Sequence, residues 1–392
     1  MALAGQSAIR ELADFSSNGY PIRVGGAVLQ FRPEEFVKTR KALKVMSRDI
    51  QLAVAASVLA IADSALPLDQ IDRTRAGVVL GCGLINNELE EIGAGIKQSL
   101  DSEGRFQIKK FGRDGIRALY PLWLLKYLPN MPACHIAILH GLKGPNNTLT
   151  TSSAGCLQAL GEAYRVIERE DADLMLAGAS DSKINALGLS RLHLLGILSE
   201  RNHAPEKVYR PFDRRRDGIV VGEGAGIFVL EERKHAIRRG ARIYGEIVGY
   251  GARFNSWTRP MQEALKEAER DLREISFVHA YGSGVPEEDV TEARSIAQIF
   301  NNGVSRVPVT ASKSVTGHLV DAVGTAELSL ALLSLGRKIL PPVANLDEPD
   351  PECDLNFVRK KPQALEDGQT FLLHSLGLGG QGSALVVSRN EK

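Results

Sequence analysis

The chain has 392 residues, 44% hydrophobic and 24% charged, with 48 Lys and Arg against 47 Asp and Glu, a formal net charge of +1. That profile excludes low-complexity and disordered classes and leaves apolar material for two or three compact units, or one fused pair sharing a core. A balanced charge without a long basic block argues against non-specific nucleic-acid binding, and the scattered Cys82, Cys134, Cys156 and Cys353 suggest neither a disulfide framework nor a zinc site.

Residues 1–19 carry no apolar run of signal-peptide type, and the best apolar stretch, 52–65, is too short to span a bilayer and contains Asp63. The expectation is a cytoplasmic protein without a membrane span.

Helical and strand signals alternate along the chain. A helix is expected over 42–65, polar at first and then rich in Ala, Val and Leu, followed by a strand over 76–80 that ends in Gly81, Cys82 and Gly83. Residues 121–128 suggest a helix and 136–140 a short strand. After Gly144 and Pro145 come a strand over 147–151, a helix over 154–169 and a buried strand over 174–177 that closes on Gly178.

The second half repeats the style, with strands over 224–230 and 244–250, an amphipathic helix over 261–273, and a strand over 276–280 opening into Tyr281, Gly282, Ser283 and Gly284. A strand over 307–310 and a helix over 324–335 follow, and 370–373 with 384–388 close the chain around a glycine-rich loop. This alternation points to an α/β protein. No Pro-rich or Ser-rich linker separates the halves, so one shared core is expected.

No glycine cluster has P-loop or GxGxxG spacing, which argues against nucleotide binding. The informative pattern is collective. In order come Gly144-Pro145 before a strand and a small-residue helix, then Arg210-Pro211-Phe212-Asp213 with Arg216-Asp217-Gly218 and Gly222-Glu223-Gly224-Ala225-Gly226. Lys313-Ser314-Val315-Thr316-Gly317-His318 and Gly377-Leu378-Gly379-Gly380 complete the series. From about Ala4 to Val387 this order resembles the elongating (type II) β-ketoacyl-acyl-carrier-protein synthases and their polyketide relatives.

The resemblance implies a thiolase-type α/β fold, with two β/α halves, 1–233 and 234–392, stacked as a five-layer α-β-α-β-α sandwich and usually dimeric. In active members a cysteine at the start of a buried helix takes the acyl chain as a thioester. Two histidines assist decarboxylation of malonyl-carrier protein, and a lysine organises the site. A helix N-terminus lowers a thiol pKa, and its N–H groups can hold an oxyanion.

This sequence departs from that pattern at the chemistry. Without a gap, the flanking Gly144-Pro145 and Leu160-Gly161 place Ser153 at the nucleophile position, while Cys156 lies three residues further on and reads as a core thiol. Tyr281 stands where the first histidine belongs, and a phenol with a pKa of about 10 replaces an imidazole poorly. His279, two residues earlier on the strand, is the nearest substitute.

Lys313 and His318 fall on the family's lysine and second histidine, and Glu327 on an acidic position of the next helix. The loop that shapes the acyl pocket, with Leu376, Leu378, Gly379 and Gly380, has leucines where active enzymes carry phenylalanines, and Gln381-Gly382 replaces a Thr-Asn pair. The stretch 251–261 is shorter than in typical relatives. The chain also matches the family from a point about 30 residues in, past a first strand expected at the centre of the N-terminal half.

Three readings stay open. One is a non-condensing subunit resembling the chain-length factors that pair with an active ketosynthase. The second is an acyltransferase or thioesterase built on Ser153 with His318 as base, and the third a condensing enzyme rearranged around Cys156 and His279. The resemblance implies acyl-carrier protein as partner, a homodimer or a heterodimer with a cysteine-bearing ketosynthase, no metal, and no cofactor beyond the carrier's phosphopantetheine.

Overall fold

The computed structural model describes residues 2–16, 19–37, 39–300, 307–365 and 368–389. In the N-terminal half the main elements are α1 (Arg48–Asp63), β1 (Ala76–Gly81), α2 (Met131–His140), β2 (Asn146–Leu149), α3 (Gly155–Glu168), β3 (Leu174–Ser182) and β4 (Glu223–Glu231). Their sheet runs β2-β1-β3-β4, parallel except for β4.

The C-terminal half contributes β5 (Glu246–Phe254), α4 (Thr258–Ala268), β6 (Phe277–His279), α5 (Pro286–Phe300), β7 (Pro308–Thr310) and α6 (Val323–Arg337). Three further strands, β8 (Asn356–Phe357), β9 (Thr370–Leu376) and β10 (Gln381–Ser388), complete a six-stranded sheet ordered β8-β7-β6-β9-β10-β5.

Alternation along the strands sets the layering, because successive side chains leave opposite faces of a sheet. Val78, Leu80, Leu174 and Leu176 pack outward on Ile50, Val54 and Ile136 of α1 and α2. Their neighbours Val79, Met175 and Ala177 point inward onto Leu160 of α3 and Leu328 of α6. The same interior cluster takes Phe277, Phe371, Leu373 and Leu385 from the second sheet. Val278, Leu372 and Val386 turn the other way, onto Met261, Leu265 and Ile296 of α4 and α5. The result is the thiolase-type stack of helix, sheet, helix, sheet, helix, and the halves share the middle layer.

Three local expectations change. The helix expected over 42–65 is broken, because the Ser47 hydroxyl accepts Ile50 N–H and caps a new start for α1, leaving Arg40–Leu43 as a separate turn. Residues 136–140 are helical, not extended. Four apolar residues before His140 fit either period, and here Pro132 in the first turn and left-handed Gly141 (φ 65°) bound a helix. In the 121–128 stretch only Trp123–Lys126 forms a helical turn, of the 3-10 kind.

The expected gap at the centre of the first sheet is also corrected. β1 pairs directly with β3 from Ala76↔Leu174 to Gly81↔Ala179, so no position lies open between them.

Candidate active site

The site lies where the N-terminus of α3 meets the C-terminal half. β2 feeds a 3-10 turn, Ser152–Ala154, that leads into α3. Small residues let these parts approach: a Cβ on Gly81 would lie 2.5 Å from the carbonyl carbon of Gly155. Ser152 takes a left-handed φ of 54°, a conformation that costs a non-glycine residue energy and is held by the surrounding packing. Ser153 follows it, fully buried, with its carbonyl accepting the Ser375 hydroxyl at 2.6 Å.

Cys156 sits one turn further along α3 in the interior cluster. Burial, and then Glu327, pushes its thiol well above the ordinary value, the opposite of what a nucleophile requires.

Tyr281 leaves the end of β6 and is held from four sides. Its backbone N–H donates to Glu292 at 2.6 Å, and its carbonyl accepts the Lys313 ammonium. Lys313 Nζ lies 3.7 Å from the centre of its ring, and Trp257 packs against it with centroids 5.6 Å apart. Its phenol oxygen lies 2.8 Å from His318 Nε2.

The direction of that last bond follows from the rest of the imidazole. His318 Nδ1 accepts the Val320 N–H at 3.1 Å, so a neutral ring carries its proton on Nε2 and donates it to Tyr281. Burial and the adjacent Lys313 charge hold the His318 pKa well below its ordinary value, which keeps the ring neutral. The Ser153 hydroxyl lies close enough to the phenol to influence its ionisation. It has no hydrogen-bond partner of normal geometry. Burial, and then Glu288, pushes the phenol well above its ordinary value, so Tyr281 is a neutral hydroxyl and supplies no base.

Lys313 pairs with Glu327, both almost fully buried. Burial raises the Glu327 carboxyl to about 7 against the pull of Lys313. Glu292 accepts the N–H groups of both Tyr281 and Gly282 and a ring nitrogen of His374 at 2.7 Å. His279 is fully buried and neither ring nitrogen has a hydrogen-bond partner. Burial, and then the Lys313 charge, lowers it to about 3.

The glycine-rich loop covers this cluster. Leu376 joins Trp257, Tyr281 and Val323 in one apolar group, whereas Leu378 is exposed. Gly377 N–H donates to Gln381 O and Gly380 N–H to Gly377 O, both at 2.8 Å, and Gly380 is left-handed (φ 88°). A Cβ on Gly377 would lie 2.4 Å from the Thr151 carbonyl oxygen, so the loop presses on the backbone of the Ser153 turn.

Ser153, Tyr281, Lys313 and His318 therefore share one cluster, with Leu376 against it, while Leu378 at the loop tip stands away from it. All four site side chains are at most 2% exposed, and Trp257 above them only 9%. Sequence reasoning did not single out Trp257, Glu292 or His374. The shortened 251–261 stretch was the one sequence signal near Trp257.

A second buried cluster adjoins the first. Lys183 donates to Asp181 and, at 3.1 Å, to Asp321, whose N–H donates back to Asp181 at 3.0 Å. The Arg210–Asp213 motif is structural: the Asp213 carboxylate accepts the N–H groups of Arg215, Asp347 and Glu348 and pins the 347–348 segment.

The chain matches the family descriptions "Beta-ketoacyl synthase, N-terminal domain" over residues 3–236 and "Beta-ketoacyl synthase, C-terminal domain" over residues 245–347. It is 34% identical over 400 residues to a 3-oxoacyl-[acyl-carrier-protein] synthase 2 of Vibrio cholerae, covering 99% of this chain and 93% of the relative. Among solved structures, a β-ketoacyl synthase from Burkholderia phymatum superposes with a TM-score of 0.88 at 29% identity, covering 100% of this chain and 94% of the other. The ishigamide ketosynthase/chain length factor gives 0.85 at 27%, covering 99% and 93%. No described helix is long and apolar enough to cross a membrane.

Proposed function

The chain belongs to the β-ketoacyl synthase family of fatty-acid and polyketide biosynthesis, and within that family we propose that it is a non-condensing, chain-length-factor-like subunit. The observation that carries this reading is the Tyr281 phenol on His318 Nε2. Decarboxylation of a malonyl thioester needs a donor aimed at the developing enolate oxygen. In this chain the Nε2–H is already spent on Tyr281, and no second imidazole stands beside it.

The remaining chemistry points the same way. A serine hydroxyl needs a positioned base, yet the only lone pair of neutral His318 is on Nδ1 and is occupied by Val320. Cys156 lies in the core with a raised pKa, and His279 is buried without a partner. A sealed cluster that retains the Lys313–Glu327 pair suits a scaffold better than a turnover site.

In this reading the chain is a cytoplasmic partner of a cysteine-bearing ketosynthase and helps shape the path of an acyl chain delivered by acyl-carrier protein. The test is incubation with malonyl- and acyl-carrier protein, alone and with a co-purified ketosynthase, followed by intact mass and decarboxylation measurements. Inertness alone and activity in the pair are expected. An adduct lost in Ser153→Ala would establish a serine acyltransferase instead, and decarboxylation lost in Cys156→Ala a rearranged condensing enzyme.

A further inference from the structure

The turn that follows His318 is strained. Val320 opens the 3-10 turn Val320–Ala322 with a left-handed φ of 43°. For a β-branched residue that region is an outlier, kept only where the surrounding structure over-determines it. Val320 also supplies the N–H that His318 Nδ1 accepts at 3.1 Å. The same strained segment therefore bears on which ring nitrogen carries the proton, because the hydrogen bond at one nitrogen sets the state of the other.

The charged cluster beside the site grips this turn. Asp321 N–H donates to Asp181 Oδ2 at 3.0 Å, and the Asp321 carboxylate accepts Lys183 at 3.1 Å, while Lys183 also bonds to Asp181. All three side chains are buried. Gly83 makes the room for them, since a Cβ there would lie 2.2 Å from Asp321 Oδ2. Behind them Asp49, in the first turn of α1, accepts the Ser182 N–H at 2.9 Å and fixes the end of β3 that carries Asp181 and Lys183. Burying charges in this way gains little net stability, but a satisfied polar network makes its surroundings rigid.

We propose, on the donor role that the proposed function gives His318, that Asp181, Lys183 and Asp321 are positioning residues that set the His318 tautomer. They clamp the Val320–Ala322 turn in its strained form, which keeps Val320 N–H on Nδ1 and the ring proton on Nε2. Relaxation at Val320 turns the Leu319–Val320 peptide and withdraws its N–H from the ring. Nδ1 then takes the proton, and Nε2 becomes an acceptor facing the Tyr281 hydroxyl, as in a general base. The main chain of His318 is held separately, by Val220 O and Gly222 N–H, so the ring keeps its place while its proton moves. The cluster thus withholds a base from the site.

Val320 has apolar support as well, from Leu189, Leu192 and Val221. Charge and packing are separable. Asp181→Ala removes the acceptor of Asp321 N–H, and Asp321→Ala removes the carboxylate that Lys183 holds. Each leaves Lys183 paired with the other aspartate and the apolar group intact.

The test reads the imidazole directly, by nitrogen-15 NMR of the full chain labelled at histidine, above the histidine titration range, with His318→Ala identifying the His318 signals. The wild type is expected to show the Nε2–H form. Asp181→Ala and Asp321→Ala should each lower the ratio of Nε2–H to Nδ1–H about ten-fold, the weight of one net hydrogen bond. Adding Val320→Gly to either should restore the ratio, because glycine takes a left-handed φ without strain, whereas a general loss of structure is not repaired by a glycine. The two variants remove different contacts, so either suffices if the other fails to fold. An unchanged Nε2–H form in the variants overturns the clamp, assigns the turn to its apolar packing and leaves the proposed function standing. An Nδ1–H form in the wild type overturns both.

Discussion

The phenol oxygen of Tyr281 accepts the Nε2–H of His318 at 2.8 Å, because Val320 N–H already occupies Nδ1. Tyr281, at the end of β6, thus takes up the one ring proton that neutral His318 has to donate. The bond is buried, which gives it a measurable energetic signature. Tyr281→Phe keeps the ring packing on Trp257 and Lys313 but strands the Nε2–H without an acceptor, at a cost of about 1–3 kcal/mol. Urea unfolding of the variant is expected to show that loss with an unchanged slope, and a neutral effect would mean that the bond does not form.

Lys313 and Glu327 test whether the retained network is structural. Removing one member of a buried ion pair leaves an uncompensated charge and costs about 3–5 kcal/mol. Lys313→Met is expected to fall in that range, whereas Lys313→Met with Glu327→Gln removes the orphan charge. The double variant should therefore be more stable than Lys313→Met alone. Strict additivity in a double-mutant cycle would show that the two side chains do not act as a pair.

His279 predicts a pH dependence with a definite sign. Its folded value, lowered to about 3 by burial and then the Lys313 charge, lies below the ordinary histidine value of about 6.5. Between those values the unfolded chain binds the extra proton, so stability rises with pH. The contribution is complete above about pH 6.5 and is lost progressively as pH falls toward 3. His279→Leu should flatten the dependence of unfolding free energy on pH between about 4 and 6, by up to about 1.4 kcal/mol per pH unit. An unchanged slope would place the proton elsewhere.

The reach of sequence reasoning followed the locality of each feature. Ser153, Tyr281, Lys313 and His318 sit inside short glycine-containing motifs, so their positions could be counted from neighbours. The α/β class was equally legible, because apolar periodicity switches along the chain, whereas the layered stack was implied only by the family resemblance of the motifs. Glu292 was not, since α5 buries Asp289 and Glu292 among its apolar residues and shows no clean stripe. Trp257 and His374 reach Tyr281 and Glu292 from separate elements, and no local pattern records that meeting. The gap expected at the centre of the first sheet was wrong, since β1 pairs directly with β3 and strand order is a property of pairing that the sequence of one half does not state.

Gly377 tests how tightly the loop is set against the Ser153 turn. A methyl group there would meet the Thr151 carbonyl oxygen at 2.4 Å, and a backbone atom yields only if the turn moves. Gly377→Ala is expected to cost about 1–3 kcal/mol, in the range of overpacking, and to speed amide exchange over residues 151–155. A change confined to 377–381 would show that the loop moves alone.

The proposed non-condensing reading makes one demanding prediction, because it sets three obstacles to malonyl decarboxylation in series. Ser153→Cys supplies a thiol at the helix N-terminus, where the dipole lowers its pKa, but leaves His318 engaged with Tyr281. Tyr281→His frees the His318 donor and supplies a second imidazole. Trp257, packed 5.6 Å from the Tyr281 ring and 5.8 Å from His374, still closes the cluster from above. The ordered expectation is no malonyl decarboxylation in Ser153→Cys, a slow rate in Ser153→Cys with Tyr281→His, and a further rise when Trp257→Ala is added. General acid–base groups contribute about 10²–10⁴-fold, so the step at Tyr281→His should be the larger one if the donor is limiting. If Trp257→Ala gives the larger step, access rather than the Tyr281–His318 bond limits decarboxylation, and the observation on which the proposed function rests does not carry it.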